Sequence, residues 1–67
     1  MEGWVVVYSS NLQHRVDIVV EVLKDQGISA VPIDKRDSSY IMLGEIELYV
    51  KNDDAILSKV IIEQNQL

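Results

Sequence analysis

The chain has 67 residues, with 11 acidic residues against six lysines and arginines, so its formal net charge is −5. A chain of this length forms one small domain, residues 1–67, with a thin hydrophobic core, and the lack of cysteine excludes disulfides and thiolate metal sites. The negative charge repels phosphate backbones and anionic lipids, which argues against nucleic acid and membranes as partners. The amino terminus lacks a cationic signal-peptide region, so we expect a cytoplasmic protein.

The first predicted elements are a strand and an amphipathic helix. Residues 4–8 are β-branched or aromatic and precede a polar turn, which is typical of a buried strand. Ser10 with Gln13 fits a capping box, and Asn11 is a competing N-cap. The helical stripe consists of apolar residues three and four apart: Leu12, Val16, Val19, Val20 and Leu23.

The end of this helix and the next two strands can also be predicted. Gly27 at the C′ position, with Ile28 just beyond it, is typical of a Schellman ending. Residues 30–33 predict a second strand, which we expect at a sheet edge because Pro32 cannot donate a hydrogen bond. Residues 45–51 alternate strictly and predict the third strand, with the apolar positions on one face: Ile46, Leu48 and Val50.

A second helix is predicted at the carboxyl end. Residues 52–54 are Asn-Asp-Asp, which offer cap oxygens and negative charge to a helix amino terminus. We expect its buried stripe to contain Leu57, Val60 and Ile61, flanked by Ile56, with Ile62 pointing away and residues 64–67 frayed.

The predicted fold class is α+β, in the ferredoxin-like order β-α-β-β-α with the final strand absent. We expect a three-stranded sheet with both helices on one face, and strand one parallel to strand three. Val5 and Val7 would then lie under the helices. The helix-free face would hold the other residues of the first strand with those of the third: Trp4, Val6, Tyr8, Glu45, Glu47 and Tyr49.

A family resemblance follows from several segments. These segments are residues 37–40 (Asp-Ser-Ser-Tyr), residues 44–50 (Gly-Glu-Ile-Glu-Leu-Tyr-Val), the opening residues 4–9 and the Gly27–Ile28 helix exit. Through them the chain resembles the small bacterial family called putative signal transducing protein. The resemblance implies a ferredoxin-like fold similar to the PII signalling proteins, without a known activity or cofactor. It carries no nucleotide site to this chain, because an effector loop of PII length is missing.

The polar connection after the second strand is a candidate anion site. It places cations and hydroxyls together, enough to hold a carboxylate or phosphate of a small anionic metabolite: Lys35, Arg36, Ser38, Ser39 and Tyr40. The alternative is that Asp34 and Asp37 already neutralise the cations and that the serines bond only to the turn backbone.

Enzymatic sites are poorly supported. His14, Asp17, Glu21 and Asp25 lie on the polar side of the first helix, where a solvated surface explains them better than a metal site. Ser9 and Ser10 beside His14 contain triad residue types, but no G-x-S-x-G nucleophile elbow occurs. We therefore predict no enzyme, no metal and no cofactor.

Self-association is the last expectation. The first strand keeps one unpaired edge without charge, proline or glycine to protect it. Interface candidates are Trp4, Val6, Tyr8 and Tyr49 on the sheet, with Ile18 and Val22, which widen the apolar arc of the first helix. Pairing through strand edges and packing of helix-free faces both remain open. RNA stacking on the aromatic residues is disfavoured by Glu45 and Glu47.

The sequence therefore predicts a non-enzymatic, small regulatory or signal-transducing binding module that senses a small anionic ligand and forms a homodimer. The alternative is an adaptor or oligomerisation domain that contacts a protein partner without any ligand.

Overall fold

The computed structural model describes residues 2–36 and 44–67. The chain forms strand β1 (Trp4–Ser10), helix α1 (Gln13–Asp25), strands β2 (Val31–Asp34) and β3 (Ile46–Lys51), a 3-10 turn (Asn52–Asp54) and helix α2 (Ala55–Gln64). The predicted order of elements and the α+β class are confirmed. Ser38, Ser39 and Tyr40 lie outside the described residues.

The three strands form an antiparallel sheet in the order β1-β3-β2. The expected parallel pairing of strands one and three is therefore wrong. The crossover rule applies to the strands that a helix joins, and α1 joins β1 to β2. Because β3 lies between these two strands and returns from β2, it runs against both of them. The edge position expected for Pro32 is confirmed, since β2 lies at one edge of the sheet.

Both helices pack on one face of the sheet around a single core. The fully or almost fully buried apolar residues come from α1, the residue Ile28 after it, β3 and α2: Val16, Val19, Leu23, Ile28, Ile46, Leu48, Val50 and Ile61. The predicted stripe of α1 and the predicted faces of β3 are thus confirmed, except that Leu12 is exposed at the helix start.

A β-bulge at Val7 changes the sheet face to which the following side chains of β1 point. Val6 lies opposite Tyr49 and Tyr8 lies opposite Leu48, so Val7 is an extra residue. Directly opposed residues share a face, and Leu48 is buried under the helices, so Tyr8 points to the helix side. The expectation that Tyr8 lies on the helix-free face is wrong. Strict alternation cannot anticipate the inserted residue.

Both helices end in the same motif. At α1, Gly27 has a φ of +81° and the Ile28 amide donates to the Leu23 carbonyl at 2.9 Å, which confirms the predicted Schellman ending. At α2, Gln66 has a φ of +57° and the Leu67 amide donates to the Ile62 carbonyl at 3.0 Å. Leu67 also packs against the core, so the expected fraying is not observed.

The predicted amino-terminal cap of α1 is wrong, whereas the N-cap of α2 is Asp54, within the predicted residues 52–54. Ser10 pairs with Ile46 as the last residue of β1, and its hydroxyl accepts from the Leu12 amide at 3.1 Å. Leu12 is the N-cap of α1 and gives no side-chain cap bond. Residues 52–54 form the 3-10 turn before α2, and they likewise supply no side-chain cap. The strand and the turn extend further than expected and occupy the positions of the caps.

Helix α2 is rotated relative to the prediction. Ser58 and Ile61 are buried, whereas Leu57 is 53% exposed, Val60 41% and Ile56 81%. Ile62, expected to point away, packs against the core. The helix is apolar on both sides, so the sequence pattern does not specify which side faces the sheet. The small side chain of Ser58 lets the helix approach the strands closely.

Candidate binding surfaces

The first candidate surface is the cationic connection after β2. Lys35 and Arg36 are exposed, as a ligand site requires, but each already has a carboxylate partner. Lys35 Nζ lies 2.8 Å from Glu47 Oε1 and 5.9 Å from the centre of the Tyr49 ring. Arg36 Nη2 lies 2.7 Å from Asp34 Oδ2. An incoming anion therefore competes with two carboxylates.

Arg36 and Asp34 form a bidentate ion pair. Its Nε donates to Asp34 Oδ1 at 3.0 Å, and its backbone amide donates to the same oxygen at 2.9 Å. These hydrogen bonds lower the pKa of Asp34 from 3.8 to about 2. A third contact, from Arg36 Nη1 to the Asn11 carbonyl at 3.5 Å, links this connection to the end of β1.

The hydrogen bonds among Lys35, Glu47 and Tyr49 also shift pKa values. The hydrogen bond with Glu47, followed by the one with Tyr49, raises the pKa of Lys35, and the bond from Lys35 lowers the pKa of Glu47. The Tyr49 hydroxyl donates to Glu47 Oε1 at 2.8 Å. The sequence prediction correctly named acidic neutralisation as the alternative at this connection, but it did not identify Glu47 as the partner of Lys35.

The contribution of the Asp34–Arg36 pair to stability is expected to depend on pH. Because the pKa of Asp34 is lowered in the folded state, the pair's contribution to stability is present above pH 3.8 and is lost as the pH falls through about 2. We expect the carboxyl carbon signal of Asp34 to titrate near pH 2 by NMR. In Arg36→Gln the midpoint should rise toward 3.8. A midpoint that is the same in both proteins would contradict the pairing.

The second candidate surface is the open face of the sheet, opposite the helices. Val6, Tyr49 and Val31 form one row across the three strands, since Tyr49 pairs with both valines. Trp4 lies opposite Lys51 on this face, and Ile33 lies opposite Glu47. The five apolar or aromatic side chains are half-buried or exposed. We name this set the open face: Trp4, Val6, Val31, Ile33 and Tyr49.

The open face contains three of the predicted interface residues, Trp4, Val6 and Tyr49, and it adds two that the sequence analysis missed. Val31 and Ile33 flank Pro32, and their spacing of two was the signal that both point to one side of β2. Tyr8 is absent from this face, and its hydroxyl donates to the Leu67 carbonyl at 3.5 Å on the helix side.

An open cavity of about 370 Å³ adjoins Trp4, at the end of the sheet where β1 begins and β3 ends. Its lining consists of Gly3, Trp4, Lys51, Asn52 and Asp53. Trp4 is the only tryptophan of the chain. Its indole fluorescence therefore reports on contacts at this end of the open face.

The third candidate surface is the outer side of the helix layer. Ile18 is 48% exposed and Val22 is half-buried on α1, while Ile56, Leu57 and Val60 are exposed on α2. The two α1 residues were predicted to widen the apolar arc. The sequence pattern placed Leu57 and Val60 in the buried stripe and Ile56 beside it, and the rotation of α2 exposes all three instead.

The described residues, 2–36 and 44–67, contain no group of three or more histidine or acidic side chains that could hold a metal ion. His14, Asp17, Glu21 and Asp25 are all exposed on α1, and Asp17 accepts a hydrogen bond from Gln13 at 2.9 Å. Within the same residues, no helix has the length and apolar character needed to cross a membrane.

Comparisons with protein-family models, with curated proteins and with solved structures found no match to this chain.

Proposed function

We propose that the chain is a non-enzymatic, cytoplasmic regulatory module that acts by protein contact and forms a homodimer through its open face. One observation carries the proposal: Val6, Tyr49 and Val31 form a row across the sheet face opposite the two helices, with the Lys35–Glu47 ion pair beside Tyr49. Faces of this kind pack against a second sheet at a spacing of roughly 10 Å.

The finer fold proposal is a ferredoxin-like domain without its final strand. It is supported by the strand order β1-β3-β2, by antiparallel pairing on both sides of β3, and by two helices on one face. The resemblance to the bacterial family of putative signal transducing proteins supports the regulatory role.

Face packing is favoured over pairing of β1 edges. Among the described residues no strand pairs with the outer edge of β1. However, α2 packs mainly over β1, so it lies close to that edge. Two copies joined edge to edge by a two-fold axis would bring their α2 helices into the same space. Neither α1 nor α2 lies on the open face, so neither helix obstructs a second copy there.

Protein contact is also favoured over anion sensing as the primary function. Lys35 and Arg36 are already paired with Glu47 and Asp34, and an anion gains only what those carboxylates give up. A metabolite that reached the site would have to break the bidentate ion pair between Arg36 and Asp34. Anion sensing stays the second proposal, because both cationic side chains remain accessible from solvent.

The dimer can be tested by light scattering coupled to gel filtration. We expect a dimer at tens of micromolar, and we expect both Val6→Lys and Val31→Lys to shift it to monomer, because each places a charge in the apolar row. Gln26→Lys, an exposed change beyond α1, is the control and should remain dimeric.

Val31→Lys also separates the two modes of pairing. Val31 belongs to β2, at the opposite edge of the sheet from β1. A dimer that withstands Val31→Lys would point to the β1 edge rather than the open face. A wild-type protein that is monomeric over this concentration range would refute self-association altogether.

A further inference from the structure

The exposed apolar residues of the two helices converge on one seam. In α1, Ile18 and Val22 lie roughly 100° to 140° around the helix from the buried direction of Val16, Val19 and Leu23, both on the same side. Because the β1-α1-β2 crossover is right-handed, this side of α1 faces α2. The two helices are in contact with each other.

Helix α2 presents its apolar surface to the same seam. It runs antiparallel to α1, and its buried direction is given by Ser58 and Ile61. At 100° per residue, Leu57 points toward α1. Val60 points outward beside Leu57, and Ile56 points away from the sheet. We name this surface the helix seam: Ile18, Val22, Ile56, Leu57 and Val60.

The helix seam is too apolar for an ordinary solvated surface. Amphipathic helices of small domains carry charge opposite the buried side, whereas the side of α2 opposite Ser58 carries Ile56 and Val60 beside Glu63. Ile56 is 81% exposed, and Ile18, Leu57 and Val60 are also exposed. Contiguous exposed apolar residues with a polar rim are characteristic of protein interaction sites.

The charge of the helix layer identifies the kind of partner. Residues 13–25 and 52–64 carry six carboxylates and only three lysines or arginines. Glu21 and Asp25 on α1 and Glu63 on α2 lie on the outward side, close to the seam, together with the cations Arg15 and Lys59, so the rim keeps an excess of negative charge. A second copy would bring the same excess of carboxylates against this rim, and an anionic lipid surface would also be repelled. A cationic partner is electrostatically complementary.

We propose that the helix seam binds a cationic amphipathic helix of another protein, which lays its apolar side between α1 and α2. This is the helix-in-groove mode of recognition, in which apolar anchors repeat at helical spacing. The site is separate from the open face, so a dimer formed through the sheets leaves both of its seams accessible.

The probe is a synthetic 18-residue peptide of leucine and lysine with one apolar face. We expect it to bind the full chain and to shift amide NMR signals in α1 and α2. The same peptide with glutamate in place of lysine, and a lysine–leucine peptide scrambled to remove the apolar face, should bind at least tenfold more weakly.

Two sets of variants test the site. The triple change Ile56→Ser, Leu57→Ser and Val60→Ser should weaken binding at least tenfold, and Ile56→Ser alone should weaken it with an unchanged melting temperature, because that side chain is 81% exposed. Glu63→Lys should weaken binding more than the control Glu2→Lys, which changes the net charge equally at an exposed residue before β1.

Five results would overturn the proposal. The peptide fails to bind at several hundred micromolar, its shifts map to the open face, Glu2→Lys weakens it as much as Glu63→Lys, or the serine variants bind it normally. Loss of the homodimer in the serine variants would identify a second copy as the occupant instead, which would also overturn it.

Discussion

Replacing Leu23 with alanine is expected to unfold a large share of the protein at room temperature. Leu23 is fully buried and packs in the core with Val16 and Val19. Removing three carbon atoms from such a position costs about 2 to 5 kcal/mol, as transfer free energy plus the cavity left behind. A domain of this length has only a few kcal/mol of stability to lose.

The matched control is Leu57→Ala, the same chemical change on the other helix. Leu57 is 53% exposed, so we expect a loss in the free energy of unfolding below about 1 kcal/mol. Urea unfolding followed by circular dichroism measures both variants. Equal losses for Leu23 and Leu57 would mean that α2 buries the side predicted from its sequence pattern.

The sequence predicts which side of an element is buried when the apolar pattern is compatible with only one buried side. In β3, Glu47 and Tyr49 separate Ile46, Leu48 and Val50, and the apolar face is the one that the structure buries. In α1 the stripe of Val16, Val19 and Leu23 is equally unambiguous. These elements, with the Gly27 helix ending, were predictable from local physical chemistry alone.

Where a pattern has two solutions, tertiary packing decides. Helix α2 has apolar residues on several sides, so the side of Leu57 and Val60 and the side of Ile62 compete for the core next to Ile61. The bulge at Val7 is a second case, because a single inserted residue moves Tyr8 to the other face without any change in composition. Both choices depend on how the helices fit the sheet.

The candidate surfaces show the same division. Trp4, Val6 and Tyr49 were placed on the open face by alternation, and they lie there. The helix seam was only half anticipated, through Ile18 and Val22, because its other half depends on the rotation of α2. The partner of Lys35 was missed because Glu47 belongs to a neighbouring strand rather than to the same connection.

Gly44→Ala is expected to destabilise the protein by about 2 to 4 kcal/mol. Gly44 precedes β3 with a φ of +84°, a conformation that costs a residue with a Cβ atom about 1 to 2 kcal/mol. An added Cβ would also collide with the Lys35 carbonyl oxygen and lie 3.0 Å from Arg36 Cα. These atoms belong to the backbone, so the segment after β2 would have to move away from Gly44.

Gly3→Ala separates the two causes of this loss. Gly3 has almost the same conformation, with a φ of +83°, but an added Cβ there has no neighbour within 4 Å. We expect Gly3→Ala to cost about 1 to 2 kcal/mol in urea unfolding, from backbone strain alone. The additional loss in Gly44→Ala should be accompanied by weakening of the hydrogen bond from the Lys35 amide to the Glu45 carbonyl, now 3.0 Å, visible as faster amide exchange at Lys35. If the two alanine variants are equally stable and Lys35 exchanges at the same rate in both, Gly44 does not contact the Lys35–Arg36 backbone.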